Sequence, residues 1–186
     1  MSKRKLRLII TLAISVLILG YWGFYQPVPP AIVKSALEAE KEIDGFIINS
    51  ISVEYDEKGQ PTRRLVSKRT THYPALDKTT LDQPDMLIYR QNKVPIKLVA
   101  QQGEIGPDNQ QIELYKDVIV TEQIQDGFRM ETDYLRIEPD NDYAETDTPV
   151  TLIHKTGKMQ SIGMQAYFAE DRLKLLNNVR GIHEPR

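Results

Sequence analysis

The sequence predicts an antiparallel all-β domain held to a membrane by one N-terminal helix. Three observations carry that reading. The segment Leu8–Tyr25 contains eighteen residues without a charge, about the minimum for a helix that crosses a hydrocarbon layer roughly 30 Å thick. From Phe46 onward, helical periodicity gives way to short alternating runs separated by turn residues, the pattern of half-buried strands. Finally, 104–109 reads "EIGPDN" and 136–141 reads "RIEPDN", and a strand-like run (Val118-Ile119-Val120, Val150-Thr151-Leu152) begins eleven residues after each proline. Repetition at a fixed period marks repeated supersecondary units.

Taken in order, the chain begins with a basic stretch, residues 1–7, in which Lys3, Arg4, Lys5 and Arg7 precede the apolar segment. Such a flank keeps the N-terminus in the cytoplasm and places the domain across the membrane. A cleaved signal peptide shares the basic start and the apolar run, but Tyr21, Trp22, Phe24 and Tyr25 stand where a small-residue cleavage site is needed. Aromatic rings favour the membrane interface, so the expectation is a retained transmembrane helix over 8–25. Residues 26–45 read as a linker: three prolines in "QPVPP" stop a regular helix, and Ala31–Asp44 fits either a short helix or an extended spacer. Four of the 24 basic residues and none of the 26 acidic ones lie in 1–25, which leaves the remainder at a net charge of −6. That balance argues against general nucleic-acid binding. The absence of cysteine suits an oxidising compartment and is equally at home in the cytosol.

Residues 46–186 form the predicted domain. "IINSISVEY" (Ile47–Tyr55) alternates and stops at "DEKGQP", a hairpin connection. Further strand-like runs follow at 62–73, 85–91, 95–103, 111–123, 128–138, 150–156, 159–170 and 173–183. No helical pattern separates them, which predicts antiparallel pairing of neighbours. The two Pro-Asp-Asn triplets are turn formers, because proline presets φ while aspartate and asparagine bond locally and tolerate positive φ. Weaker copies of the same strand-turn-strand unit flank them, the last with Glu170-Asp171-Arg172 as its turn.

Alternation places Ile51 and Val53, Met86 and Ile88, Ile112 and Leu114, Val118 and Val120, Met164, Ala166 and Phe168, and Leu173 and Leu175 on inward faces. By itself this is also the pattern of a closed β-sandwich core. Met86, Met130, Met159 and Met164 add adaptable apolar surface. Catalytic patterns are missing: there is no G-x-S-x-G elbow, no cysteine nucleophile and no phosphate-binding loop, and His72, His154 and His183 are scattered. Glu131 and Asp133 share a strand face and read as a solvated pair. Asp140–Asp147 has the oxygen density of a calcium loop but carries Glu145 and Thr151 where glycine and glutamate are required, so it reads as an acidic turn. Neither cofactor nor metal is expected.

Four stretches in order, "VEYDEKGQPTRRLVSKR", "QPDMLIY", "IELYKDVIV" and "LIHKTGKMQSIGMQAYFAEDRLKLLNNVRG", together with the anchor and the Pro-containing linker, resemble the LptC family of lipopolysaccharide export. The resemblance implies a twisted β-jellyroll of two facing antiparallel sheets, open along one side, with lipopolysaccharide acyl chains held between them. It implies lipid received from an inner-membrane ABC transporter (subunits LptB, LptF and LptG) and passed to the periplasmic bridge protein LptA. The lipid-contacting residues are then Ile51, Val53, Met86, Ile88, Ile112, Leu114, Val118, Val120, Met164, Phe168 and Leu175. An uncovered strand edge invites strand addition, so Ser161–His183, with Gly163, Leu173, Val179 and Gly181, is the expected docking edge for the bridge protein, and Ile47–Tyr55 is expected to face the transporter. The alternative function is a membrane-tethered scaffold with a dry core that binds only proteins.

Overall fold

Why a chain of short alternating runs becomes one structure is answered by a sheet that folds over on itself. The computed structural model describes residues 43–90, 93–107, 110–124 and 127–183. The expected basic start 1–7, the transmembrane helix 8–25 and nearly all of the linker 26–45 lie outside the described residues. Among the described residues no helix is long and apolar enough to cross a membrane.

Among the described residues eleven strands make a single antiparallel sheet of jellyroll-like topology. They are β1 (Gly45–Tyr55), β2 (Pro61–Tyr73), β3 (Lys78–Asp82), β4 (Asp85–Arg90), β5 (Lys93–Val99), β6 (Gln102–Ile105), β7 (Ile112–Glu122), β8 (Arg129–Glu138), β9 (Tyr143–His154), β10 (Gly157–Tyr167) and β11 (Arg172–His183). The turns behave as their sequences dictate. Pro74–Leu76 and Pro139–Asn141 each form one 3-10 turn, closed by Asp77 or Asp142 in the left-handed region with its N–H donating to the proline carbonyl. Asp171 also has a positive φ, 50°, in the turn before β11.

Three readings need correction. β3 is absent from the sequence reading, because "KTTLD" is short, polar and preceded by a proline turn. The run 95–103 is two strands, β5 and β6, which separate at Ala100 and Gln101. β9 begins at Tyr143, seven residues before the predicted Val150, so "AETD" belongs to a strand and only Asp140–Asp142 to the turn. Its inward residues there are Ala144 and Thr146, too small and too polar to register as a hydrophobic run.

Three of the long strands, β2, β8 and β10, carry a common device part-way along. Ser67, Thr132 and Ser161 are buried, and each hydroxyl donates to the carbonyl two residues on, at Arg69 (2.7 Å), Tyr134 (3.3 Å) and Gly163 (3.0 Å). A local side-chain bond of this kind competes with the ladder. The ladder shifts register close to Thr132 and Ser161, between Tyr115 and Val118, between Glu131 and Arg136, and between Ile162 and Met164, as bulged strands do where they bend. Consequently β2 pairs with β4 before its bend and with β3 after it, and β7 pairs with β6 before its bend and with β5 after it. Gly163 serves the bend in β10: its φ is +82°, and an added Cβ would lie 3.0 Å from Leu176 Cδ1. It therefore sits inside the sheet, and its expected place on a docking edge is corrected.

Folding over brings two inner faces together. One row crosses the sheet through Leu65, Met86, Leu98, Val120, Met130, Leu152 and Met159. The facing half contributes Leu81, Gly103, Leu114 and Leu135, and beside them Ile105, Ile112, Ile137, Ala144 and Ala166. Residues of both halves form one core cluster. Burial of each Leu, Ile, Val or Met side chain is worth about 1.5–3 kcal/mol, so the cluster is what holds the bent sheet closed. The two ends differ from the middle: among the described residues β1 pairs only with β2, and β11 only with β10.

Candidate functional site

Close packing between the halves fails where the inner side chains shrink. Along the row Ile105, Ile112, Ile137, Ala144, Ala166, isoleucine gives way to alanine at β9 and β10. Alongside Ala166 lies a cavity of about 730 Å³, with Ile96, Phe128, Leu152, Met159 and Phe168 among its apolar walls. These residues come from both halves of the sheet. The size and the apolar lining are those of a ligand site. Charged groups ring the mouth: Arg90, Lys93, Glu122, Asp171 and Arg172. Lys93 Nζ donates to Asp171 Oδ2 at 2.7 Å, and this bond with the charges of Lys93 and Arg90 holds the Asp171 carboxyl below its ordinary range.

A second cavity, about 290 Å³, lies at the β1–β2 end against Ile47, Ile51, Leu65, Leu81, Ile105 and Ile112. Arg63 reaches into it from β2, paired with Glu54. Its Nη1 is buried and makes no hydrogen bond to a described residue.

The predicted lipid-contacting residues divide into three groups. Met86, Ile112, Leu114, Val118, Val120 and Met164 are fully buried in the core, while Ile88, Phe168 and Leu175 are half-buried against it. Ile51 and Val53 do not join the core: they are 64% and 37% exposed. Ile51 pairs with Val66 and Val53 with Arg64, whereas Ser52 pairs with Leu65 of the inner row. The inward phase of β1 is thus the serine phase, and a strand shifted by one residue turns its whole apolar set outward. Ile51 still borders the smaller cavity. Of the docking-edge residues, Leu173, Val179 and Gly181 lie on β11, where Val179 is 51% exposed.

Sequence reasoning missed Ile96, Phe128 and Leu152 as cavity residues and named Met159 only as adaptable apolar surface. The signal existed for Ile96 and Leu98, which alternate in "PIKLV", but Phe128 stands before its strand and Leu152 beside another apolar residue. The histidines do not gather: His72 Nδ1 lies 3.2 Å from Thr79 Oγ1 and His154 Nδ1 3.0 Å from Thr156 Oγ1. Among the described residues no group of His, Asp and Glu is placed to hold a metal ion.

On the outward face of β7, β8 and β9, carboxylates and phenols are knitted together. Glu113 accepts from the hydroxyls of Tyr115 and Tyr134, and Arg136 lies between Glu113 and Glu145 at 3.5 Å and 3.3 Å. Burial pushes the Glu113 carboxyl up, but the bonds from Tyr115, Tyr134 and Gln111 and the charge of Arg136 outweigh it, leaving the group below its ordinary 4.5. On the neighbouring strand, burial and the bond to Glu145 push the Tyr143 phenol up to about 12. A carboxylate with a depressed folded pKa stabilises fully above its unfolded value and loses that contribution as pH falls through the folded one. Denaturant midpoints measured across the acid range should therefore fall below about pH 4.5 in the wild type, and the Glu113→Gln variant should show a shallower fall. Parallel profiles for the two proteins would remove Glu113 from this role.

The sequence pattern of the family described as "Lipopolysaccharide-assembly, LptC-related" matches residues 9–184. The chain belongs to the LptC family. It is a component of lipopolysaccharide assembly and not an enzyme. No curated protein matches the chain. Among solved structures, it is similar to the crystal structure of LptH from Pseudomonas aeruginosa, described as the LptA homologous periplasmic component of the conserved lipopolysaccharide transport device. The two are 7% identical with a TM-score of 0.49, over 79% of this chain and 98% of that one.

Proposed function

We propose that this LptC-family domain shields lipopolysaccharide acyl chains between the two halves of its sheet while lipid passes from the inner membrane to the bridge protein LptA. The observation that carries the reading is the apolar cavity beside Ala166, walled by both halves and ringed by charge. Exposing one acyl chain of about ten carbons to water costs on the order of 8 kcal/mol at about 0.8 kcal/mol per methylene, so a lipid with several chains needs a continuous apolar path. The domain supplies the path and no work. With no phosphate-binding loop in the sequence, the energy comes from the ABC transporter formed by LptB, LptF and LptG.

In this reading residues 8–25 anchor the chain in the inner membrane with the N-terminus in the cytoplasm and the β domain in the periplasm, and lipid moves along an open groove. The two outer strands, β1 and β11, are the docking sites. β1 exposes Phe46, Ile47, Ile48, Ile51 and Tyr55 and faces the transporter. β11, with Leu173, Val179 and Gly181, receives a strand of the bridge protein, since unpaired strand edges are templates for pairing. The scaffold reading draws on a different observation, the closed middle of the interior, where Met86 and Val118 are wholly buried.

Photo-crosslinking in cells separates the two. A benzophenone amino acid at Phe168 should capture lipopolysaccharide, the same probe at outward Lys174 should not, and at Val179 it should capture LptA. Equal lipid labelling at Phe168 and Lys174 would favour the scaffold.

A further inference from the structure

The mouth of the large cavity is bridged by charge. Lys93, which opens β5, and Asp171, in the turn before β11, are 78 residues apart in sequence and joined at 2.7 Å. Arg90, which closes β4, donates through Nη2 to the Val94 carbonyl at 2.7 Å and to Glu122 Oε1 at 3.3 Å. Its Nη1 lies 3.9 Å from Asp171 Oδ1. The turn that presents Asp171 is tied to its neighbour, with the Phe168 N–H donating to the Asp142 carbonyl at 2.7 Å. All three charged side chains share the cavity wall with Phe128, Leu152 and Phe168.

Such an arrangement is a poor device for stability alone. Lys93 and Asp171 are 38% and 59% exposed, and exposed pairs contribute little. It is a good device for exchange. Two cations held at the lip of an apolar chamber match an amphiphile with an anionic head, and a phosphate monoester brings up to two charges and three acceptor oxygens where Asp171 brings one charge and two.

We propose that Arg90, Lys93 and Asp171 form a headgroup latch: in the empty protein Asp171 occupies the cations, and an amphiphile bearing a phosphate monoester, whose chains enter the cavity, displaces Asp171 and takes its place. The inference rests on the lipid reading of the cavity and adds to it a headgroup subsite that selects for phosphate. Arg90 keeps its place through Val94 and Glu122, while Lys93 is the partner that changes hands.

The test uses the full chain in phosphatidylcholine nanodiscs with a benzophenone amino acid at Phe128. Capture of diphosphoryl lipid A is compared with capture of the same lipid stripped of its phosphates. The wild type should capture the phosphorylated form about tenfold better. Lys93→Gln should abolish the preference, Lys93→Arg should retain it, and Asp171→Asn should raise capture of the phosphorylated lipid only. Inorganic phosphate at the lipid's concentration should leave the preference intact. Loss of the preference under inorganic phosphate would assign the cations to free phosphate and overturn the latch. Equal capture of both lipids by the wild type, or a preference that survives Lys93→Gln, would overturn the latch and leave the cavity as a lipid site. Capture of neither lipid would overturn both readings.

Discussion

Replacing Ala166 by phenylalanine is expected to abolish capture of lipopolysaccharide by a photo-crosslinker at Phe128 while leaving the domain folded. Ala166 is 8% exposed and faces the cavity of about 730 Å³, so an added ring has space to enter without displacing the core. Added apolar burial of about 1–2 kcal/mol is set against an overpacking cost of about 1–3 kcal/mol, and the thermal midpoint should move little. Lipid capture, by contrast, should fall by more than about tenfold, since one ring would occupy the space that an acyl chain needs and each excluded methylene forfeits about 0.8 kcal/mol. The contrast between the two measurements is what makes the variant informative. A folded Ala166→Phe protein that captures lipid at the wild-type level would place the acyl chains elsewhere.

The largest loss of stability is expected from Leu114→Ala. Leu114 is 1% exposed at the centre of the inner face, paired with Gly103 on one side and Leu135 on the other. Its Cδ2 lies 3.1 Å from the position a Cβ on Gly103 would take, so the glycine opposite gives the leucine its room. Removing the side chain leaves a hole that bent, hydrogen-bonded strands cannot collapse to fill. The cost of such truncations is about 2.7–5.0 kcal/mol, a large share of the roughly 5–15 kcal/mol that holds a domain together. Leu173→Ala, at a residue 38% exposed on β11, should cost well under half as much. Urea unfolding midpoints of the two variants decide the matter, and equal losses would mean that the core does not centre on Leu114.

How much of the candidate site was legible follows from what each residue needed. Met86, Leu114, Val118 and Met164 announce themselves through alternation alone, and they are buried. Phe168 was assigned inward by the same rule and lines the cavity. Ile96, Leu152 and Met159 also belong to alternating strands, yet nothing in their own segments separates a residue facing a cavity from one facing a filled core. That difference is made by the small side chain of Ala166, which borders the space those side chains face.

The sequence by itself determined that the domain is antiparallel β, where most of its strands run and where the turn at Pro139 falls. Period-two alternation and turn chemistry are written within a few residues, so they need no partner to be read. Only the tertiary structure decided the phase of β1, where Ser52 and not Ile51 stands opposite Leu65. Tertiary structure alone also divided β5 from β6, turned the long strands at Ser67, Thr132 and Ser161, and brought Lys93 to Asp171. Each of these depends on register between strands distant in the chain, and a slip of one residue exchanges the two faces of a strand. Register is fixed by what the whole folded sheet can bury, and no single segment contains that information.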